Sequence, residues 1–169
     1  MSWGVFKIAW GKNGTPETLG GTADTMTISD QTSTTFNTVM MSANATTHVA
    51  LNIRLGNSTI DTGSNYAGRI SSNGGADSTA TSRSSIETSS NTLGQFQVSY
   101  IVNISAEEKL VIGVGKLDEG TLGAGTAPNR VEYVGKWVNT SNQFDNVQSY
   151  NDEVGDYTAN SNISALGTD

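Results

Sequence analysis

The strongest catalytic candidate in the sequence is the run Asp61-Thr62-Gly63-Ser64. Aspartic proteases carry a carboxylate in such a run, and two of these aspartates share one proton during catalysis. A protease would therefore need a second copy of the run or a symmetric dimer. The preceding residues 56–60 are polar, whereas that family has a buried strand there. In a chain so rich in Ser, Thr and Gly we interpret the run as a chance match, so no catalytic residue and no enzyme activity are predicted.

The chain contains a single histidine, His48, and no cysteine. One imidazole without a thiolate or a second histidine is a poor basis for a catalytic triad or a zinc site. We therefore expect His48 to be a surface residue of a strand. The sequence also contains neither of the Gly-rich patterns that cradle phosphates, so no nucleotide cofactor is expected.

Oxygen ligands for calcium were considered in two turn-like segments. They are Asp61, Gly63 and Asn65 in the first, and Asp152, Glu153 and Asp156 in the second. Neither segment fits the spaced calcium loop that ends in a bidentate glutamate. Asp and Asn also cap turns through their own side chains, which explains both segments without a metal. We predict no metal site.

Aromatic side chains provide the candidates for binding. Tryptophans that surface together can stack on sugar rings, which makes a lectin-like module for surface adhesion the alternative function. Tryptophans within strand patterns more often fill a core or an interface. We therefore predict an interface between subunits that involves residues 71–92 and five aromatic residues: Trp3, Phe6, Trp10, Tyr133 and Trp137.

Two runs of strict alternation indicate the elements that must position these residues. Val49, Leu51, Ile53 and Leu55 recur with a period of two, which predicts a half-buried strand. The same pattern runs from Phe96 to Ile104, with Gln95, Gln97, Ser99 and Asn103 on the opposite side, and it continues at Leu110, Ile112 and Val114 after a turn. By the same reasoning the apolar side faces the core, and the two segments form a hairpin.

Shorter strand candidates occur along the rest of the chain. They cover residues 5–10, 24–28, 35–41, 66–71, 130–138, 144–150 and 162–166. About nine or ten short strands, separated by turn-rich stretches and without a helical period, are typical of an all-β sandwich. We predict one antiparallel, jelly-roll-like domain over residues 1–169, with long polar loops at about 71–92 and 117–129.

Charge and hydrophobic content exclude several partners. Nine Lys and Arg residues against sixteen Asp and Glu residues give a net charge of −7, without a basic run to follow a phosphate backbone. No apolar stretch approaches the length of a membrane span, and the N-terminus lacks the pattern of a signal peptide. Only 35% of the residues are hydrophobic, so the core is expected to be thin or partly supplied by neighbouring subunits.

The order of four segments resembles small virion proteins of tailed phages and marine viruses. The segments are YAGRISSNGGAD at 66–77, EEKL at 107–110, TAPNRVEYVGKW at 126–137 and NISALGTD at 162–169. The resemblance implies a β-sandwich subunit that decorates a capsid or belongs to a head fibre or tail, without active-site residues. The sparse core and the prevalence of symmetric homo-oligomers predict a homo-oligomer, such as a trimer or larger array. The resemblance implies partners such as the major capsid protein and a location in the virion. Surface glycans remain an alternative partner.

Overall fold

The structure, a computed structural model, describes residues 9–88, 90–91, 94–117 and 123–169. These residues form strands, turns and loops, with no α-helix among them. The strands are β1 (Gly11–Lys12), β2 (Glu17–Thr18), β3 (Thr25–Ile28), β4 (Phe36–Ala43), β5 (Val49–Ala50), β6 (Asn52–Asn57), β7 (Thr59–Ile60), β8 (Tyr66–Ser72), β9 (Ser78–Arg83), β10 (Ser90–Asn91), β11 (Gln95–Val102), β12 (Lys109–Leu117), β13 (Asn129–Trp137), β14 (Asn146–Tyr150) and β15 (Asn162–Thr168).

The strands pair antiparallel in sheets of unequal size. The large sheet has the order β1-β15-β4-β11-β12-β13-β8-β9, with β2 paired to β15. A smaller sheet has the order β3-β14-β6-β7, and β5 pairs with β10. In the centre of the large sheet, β11, β12 and β13 follow one another as a meander, and β4 lies on the other side of β11. The predicted hairpin is therefore confirmed.

One hydrophobic core joins the two main sheets. It contains Met41 of β4, Val111 of β12 and Val131 of β13 from the large sheet, together with Ile53 and Leu55 of β6 from the smaller one. This arrangement confirms the predicted all-β class and is consistent with a β-sandwich. The strand order, with one large and one small sheet, does not confirm the jelly-roll topology.

The orientation of β11 is opposite to the prediction. Gln95, Gln97 and Ser99 are buried, whereas Phe96 and Tyr100 are 47% and 52% exposed. The same inversion continues in β12, where Val111 is buried while its apolar neighbours on the other face are exposed. A strand alternates strictly between two faces, so placing the glutamines inside necessarily places the aromatic residues outside.

Glycines explain why the inner side of β12 needs no large side chain. A Cβ added to Gly113 would lie 2.2 Å from the ring of Tyr133, and one added to Gly115 would lie 2.9 Å from a methyl group of Val131. The side chains of β13 thus occupy the space beneath β12. Glycine within a strand is typical of such a close approach.

Two further predictions about burial and loops are wrong. Strand β6 is buried on both faces, because Arg54 packs against the ring of Tyr150, 3.3 Å from its centroid, and donates from Nε to the carbonyl oxygen of Ser84 at 3.0 Å. The segment 71–92 is not one long loop, since it contains β9 and the buried Ile86, which pairs with Ile53.

The second predicted loop, 117–129, agrees better with the structure. Leu117 ends β12 and Asn129 begins β13, while residues 123–128 are exposed and lie outside the strands. Residues 118–122 of this segment lie outside the described residues. A connection between neighbouring antiparallel strands is expected at the surface.

Candidate functional site

The most unusual surface of the molecule is the outward side of the large sheet. Register places Val98 opposite Val114, Tyr100 opposite Ile112 and Val102 opposite Leu110. We call this surface the apolar face and define it by eight residues: Phe96, Val98, Tyr100 and Val102 of β11, Leu110, Ile112 and Val114 of β12, and Val134 of β13.

Six of these side chains are about half exposed, with Ile112 the most exposed at 57%. By their exposed fractions these side chains present on the order of 500 Å² of apolar surface, within the roughly 300 to 600 Å² that the largest patch on a monomer covers. Single exposed apolar residues need no explanation, but the largest patch on a monomer is often functional, which makes the apolar face the candidate interaction site.

The apolar face carries two shallow hollows at opposite ends. One, of about 320 Å³, lies among Phe96, Val114 and Arg130. The other, of about 390 Å³, lies among Leu110 and Val134 and reaches Ala67 on β8. The surface therefore offers both protruding side chains and recesses that can receive them.

Charged side chains border the apolar face, and they form ion pairs within the chain. Arg130 Nε lies 3.3 Å from Glu132 Oε1. Lys136 Nζ lies 2.9 Å from Glu108 Oε2. Arg69 lies opposite Val134 in the register, and its guanidinium pairs with Asp77 at 2.9 Å. Exposed pairs of this kind add little stability, but they leave the border nearly neutral.

The Asp-Thr-Gly run forms a turn that anchors a tryptophan. Asp61 Oδ2 accepts hydrogen bonds from Trp137 Nε1 at 2.7 Å and Asn65 Nδ2 at 2.9 Å, and Oδ1 accepts from the backbone N–H of Gly63 at 2.8 Å. Partial burial by itself would raise the pKa of this carboxyl. The three hydrogen bonds favour the ionised form more strongly and lower the pKa below its ordinary value.

A polar groove of about 400 Å³ lies beside this turn. Its wall includes Asn57, Thr59, Asp61, Asn139 and Asn142. The indole of Trp137 contributes little to the groove surface, because this residue is only 1% exposed and its ring stacks on Tyr66 with centroids 6.4 Å apart. The groove can offer hydrogen bonds to a polar ligand but no exposed aromatic platform from Trp137.

Two of the five aromatic residues predicted at an interface between subunits are not exposed at the surface of the chain. Tyr133 and Trp137 are buried within the chain's own core, where Tyr133 exchanges a 2.6 Å hydrogen bond with Ser99 and Trp137 is held by Asp61. Trp10 is 47% exposed and remains available for contact. The other two aromatic residues, Trp3 and Phe6, lie outside the described residues.

The remaining chemical candidates are His48 and the turn at 152–156, which are adjacent because the Gly155 N–H donates to the His48 carbonyl oxygen at 2.9 Å. His48 is exposed just before β5. Asp152 accepts a hydrogen bond from Asn52 Nδ2 at 2.6 Å, which is a role in securing a turn. Among the described residues, no group of three or more His, Cys, Asp or Glu side chains is arranged to hold a metal ion.

Sequence alternation alone does not reveal the apolar face, because the apolar side of an alternating strand can face either the core or the solvent. Two sequence features are consistent with an outward apolar side, namely the glycines Gly113 and Gly115 in β12 and the amide side chains on the opposite side of β11.

Comparison with protein-family models, curated proteins and solved structures finds no match to this chain. In the part of the chain that the structure describes, no helix has the length and apolar character needed to cross a membrane.

Proposed function

We propose that the protein is a non-enzymatic structural subunit of a virion, a self-assembling component that decorates a capsid or belongs to a capsid or tail. The observation that carries this proposal is the apolar face, where six large apolar side chains on three neighbouring strands are about half exposed. The resemblance of the four sequence segments to small virion proteins supplies the context of the virion. Such a subunit contributes surface and shape to an assembly without a chemical reaction.

The distribution of polar groups supports the same proposal. Asp61, the strongest catalytic candidate, uses both carboxylate oxygens to hold the turn and Trp137. Lys109, which is fully buried, donates from Nζ to the backbone carbonyls of Ile104, Glu107 and Asn139. The side chains of Asp61 and Lys109 thus hold the chain's own turns, whereas the apolar face has no partner within the described residues.

The direct test is the solution mass of the purified chain by size-exclusion chromatography with light scattering, followed by electron microscopy of the same fractions. A discrete oligomer or a regular polymer is the expected result. A strict monomer that also binds no capsid or tail protein would overturn the proposal.

A carbohydrate-binding module for surface adhesion is the second candidate. The polar groove beside Asp61 favours it, because three asparagine side chains, Asn57, Asn139 and Asn142, line the same recess. Amides of this kind hydrogen-bond sugar hydroxyls. Calorimetric titration with a panel of oligosaccharides tests this function, and saturable heat that is lost in Asn142→Ala would favour it over assembly.

A further inference from the structure

We propose that the occupant of the apolar face is a second copy of this chain, packed sheet against sheet around a two-fold axis near Tyr100 and Ile112. The inference rests on the proposed structural role and names the partner and the geometry of its primary contact. A two-fold contact uses the same surface on both subunits, so the surface must be complementary to itself. The area, charge and shape of the apolar face meet this requirement.

The area is in the range of a stable pair. A standard interface buries roughly 800 Å² on each partner, with an apolar centre inside a polar border. The apolar face supplies roughly 500 Å² as such a centre. The aliphatic stems of bordering Lys136 and Arg130, together with exposed Phe36 at the end of β4, extend the surface outward.

The charge of the border permits two copies to meet. Among the described residues, the border of the apolar face carries four cationic side chains, namely Arg69, Lys116, Arg130 and Lys136, and the acidic side chains of Asp77, Glu108 and Glu132. The chain as a whole carries a charge of −7, so this part of the border is less acidic than the chain as a whole. Electrostatic repulsion between two copies is smallest when they approach through this face. A strongly charged partner would gain little electrostatic attraction there.

The shape of the apolar face fits a two-fold pair. Tyr100 and Ile112 form the middle of the three cross-strand pairs between β11 and β12, and the hollows lie toward the two ends, one beside Phe96 and the other from Ile112 to Leu110. Two sheets that pack face to face are related by an axis parallel to the sheets, and an axis at this middle pair places Tyr100 and Ile112 of one copy against the same pair of the other. The exposed side chains of the two copies can then interdigitate, as in the core between two packed sheets.

The first test compares two variants that introduce the same change at different sites. Val114→Lys places a charge in the apolar face, opposite Glu132, where a cross-strand ion pair helps to preserve the fold. Val154→Lys places the same charge in an exposed loop, where Val154 is 92% exposed. We expect Val114→Lys to weaken self-association by at least about 30-fold, the scale of an interface hot spot, and Val154→Lys to leave it unchanged.

The second test locates the axis with a single cysteine, since the chain has none of its own. In Ile112→Cys the thiols of two copies lie close together at the axis, whereas Val154→Cys places them on a remote loop. Under mild oxidation at low protein concentration, we expect rapid formation of a disulfide-linked dimer for Ile112→Cys only.

The outcomes separate this inference from the proposed function. An oligomeric wild type whose mass is unaffected by Val114→Lys would overturn the inference and leave the structural role intact. A wild type that is monomeric at all concentrations would exclude a second copy as the occupant and also count against self-assembly. Circular dichroism and thermal melting of each variant verify that lost association is not lost folding.

Discussion

At the scale of single residues, the fold depends on polar side chains that are buried, such as Asn103, or partly buried, such as Asp61, each with specific partners. Asp61 accepts hydrogen bonds from an indole, an amide and a backbone N–H. Asn103 donates from Nδ2 to the carbonyl of Phe144 at 3.1 Å and accepts from the N–H of the same residue at 2.8 Å. Because a buried polar group that loses its partner pays the full cost of desolvation, such residues are sensitive to isosteric change.

Asp61→Asn tests the anchor of Trp137. The amide has one accepting oxygen where the carboxylate has two, so at least one of the three donors loses its partner. We expect the free energy of unfolding at pH 7 to fall by about 1 to 3 kcal/mol in urea titrations. Asp156→Asn, the same change at an exposed loop position, is the control and is expected to have almost no effect.

The pH dependence of these two proteins adds an independent check. The pKa of Asp61 is lower in the folded chain than the ordinary value of 3.8, so its stabilisation is present above that value and is lost as the pH falls through the folded pKa. The difference in stability between wild type and Asp61→Asn should therefore narrow below about pH 4. A difference that stays constant down to pH 2 would contradict a role for the ionised carboxylate.

Gly113→Ala tests the close approach of β12 to β13. The new methyl group would lie 2.2 Å from the ring of Tyr133, which is fixed by its hydrogen bond to Ser99. We expect a loss of about 1 to 3 kcal/mol, as for an overpacked core, measured by thermal or urea unfolding. Gly125→Ala, where no atom lies within 4 Å of the new methyl group, is the control, and an equal loss in both variants would refute the packing account.

At the scale of elements, β11 shows how a strand with regular alternation can face either way. The side chain of Gln97 donates from Nε2 to the carbonyl of Leu51 at 2.6 Å, which connects the large sheet to the chain between β5 and β6. On the other face of the same strand, Phe96 and Tyr100 are half exposed. The polar side is needed inside because backbone groups outside the regular pairing still require partners.

A pair of opposite substitutions in β11 tests this orientation. Gln97→Leu makes the inner face more apolar yet leaves the Leu51 carbonyl without its donor, so we expect a loss of about 1 to 3 kcal/mol. Phe96→Gln makes the outer face more polar, and we expect less than about 1 kcal/mol. Urea unfolding at protein concentrations where the chain is monomeric measures the change in the free energy of unfolding for each variant. A larger loss for Phe96→Gln than for Gln97→Leu would show that the glutamine side faces solvent.

Most strands were predictable from the sequence, and their orientation was not. The period of two in residues 95–104 identifies β11 and predicts its pairing with β12. The alternation is the same whichever side faces the core, so it does not determine which side is buried. That choice depends on Tyr133, which occupies the space beneath Gly113 and lies in a different strand. Strand β9 was missed for a related reason, since its small polar residues form a strand by pairing with β8 and lack an apolar period.

The candidate site was missed for the same reason as the orientation. Tyr133 and Trp137 resemble interface residues in sequence because large aromatic residues are enriched at interfaces. Their partners in this chain, Ser99 and Asp61, are distant in sequence and give them places in the core instead. The alternation of the apolar face predicts one continuous side of β11 and β12, and the structure shows that this side faces outward.

At the scale of the whole molecule, the large sheet of this all-β fold carries apolar side chains on its outward face, and we propose that this face serves assembly. Two copies joined through the apolar face would bury sheet against sheet, and a trimer or larger array would add further contacts to this pair. The acidic excess of the chain would then cover the outside of the assembly, where net charge favours solubility.

The salt dependence of association follows from this arrangement. Contact through an apolar face with an internally paired border does not depend on attraction between oppositely charged subunits. We expect the oligomer to persist or increase as NaCl is raised from about 0.05 to 0.5 M, because salt screens the repulsion between copies of charge −7. Light scattering across this range of NaCl concentration measures the mass of the oligomer. Dissociation by salt would indicate an interface stabilised by attraction between opposite charges.

The central claim is tested most directly by the solution mass of the wild-type chain as a function of concentration. The account predicts a mass of at least twice the 17.7 kDa of one chain, with reversible dissociation toward one chain on dilution. A mass of 17.7 kDa at every concentration up to about 1 mM, where even a contact worth about 4 kcal/mol would be populated, would contradict it.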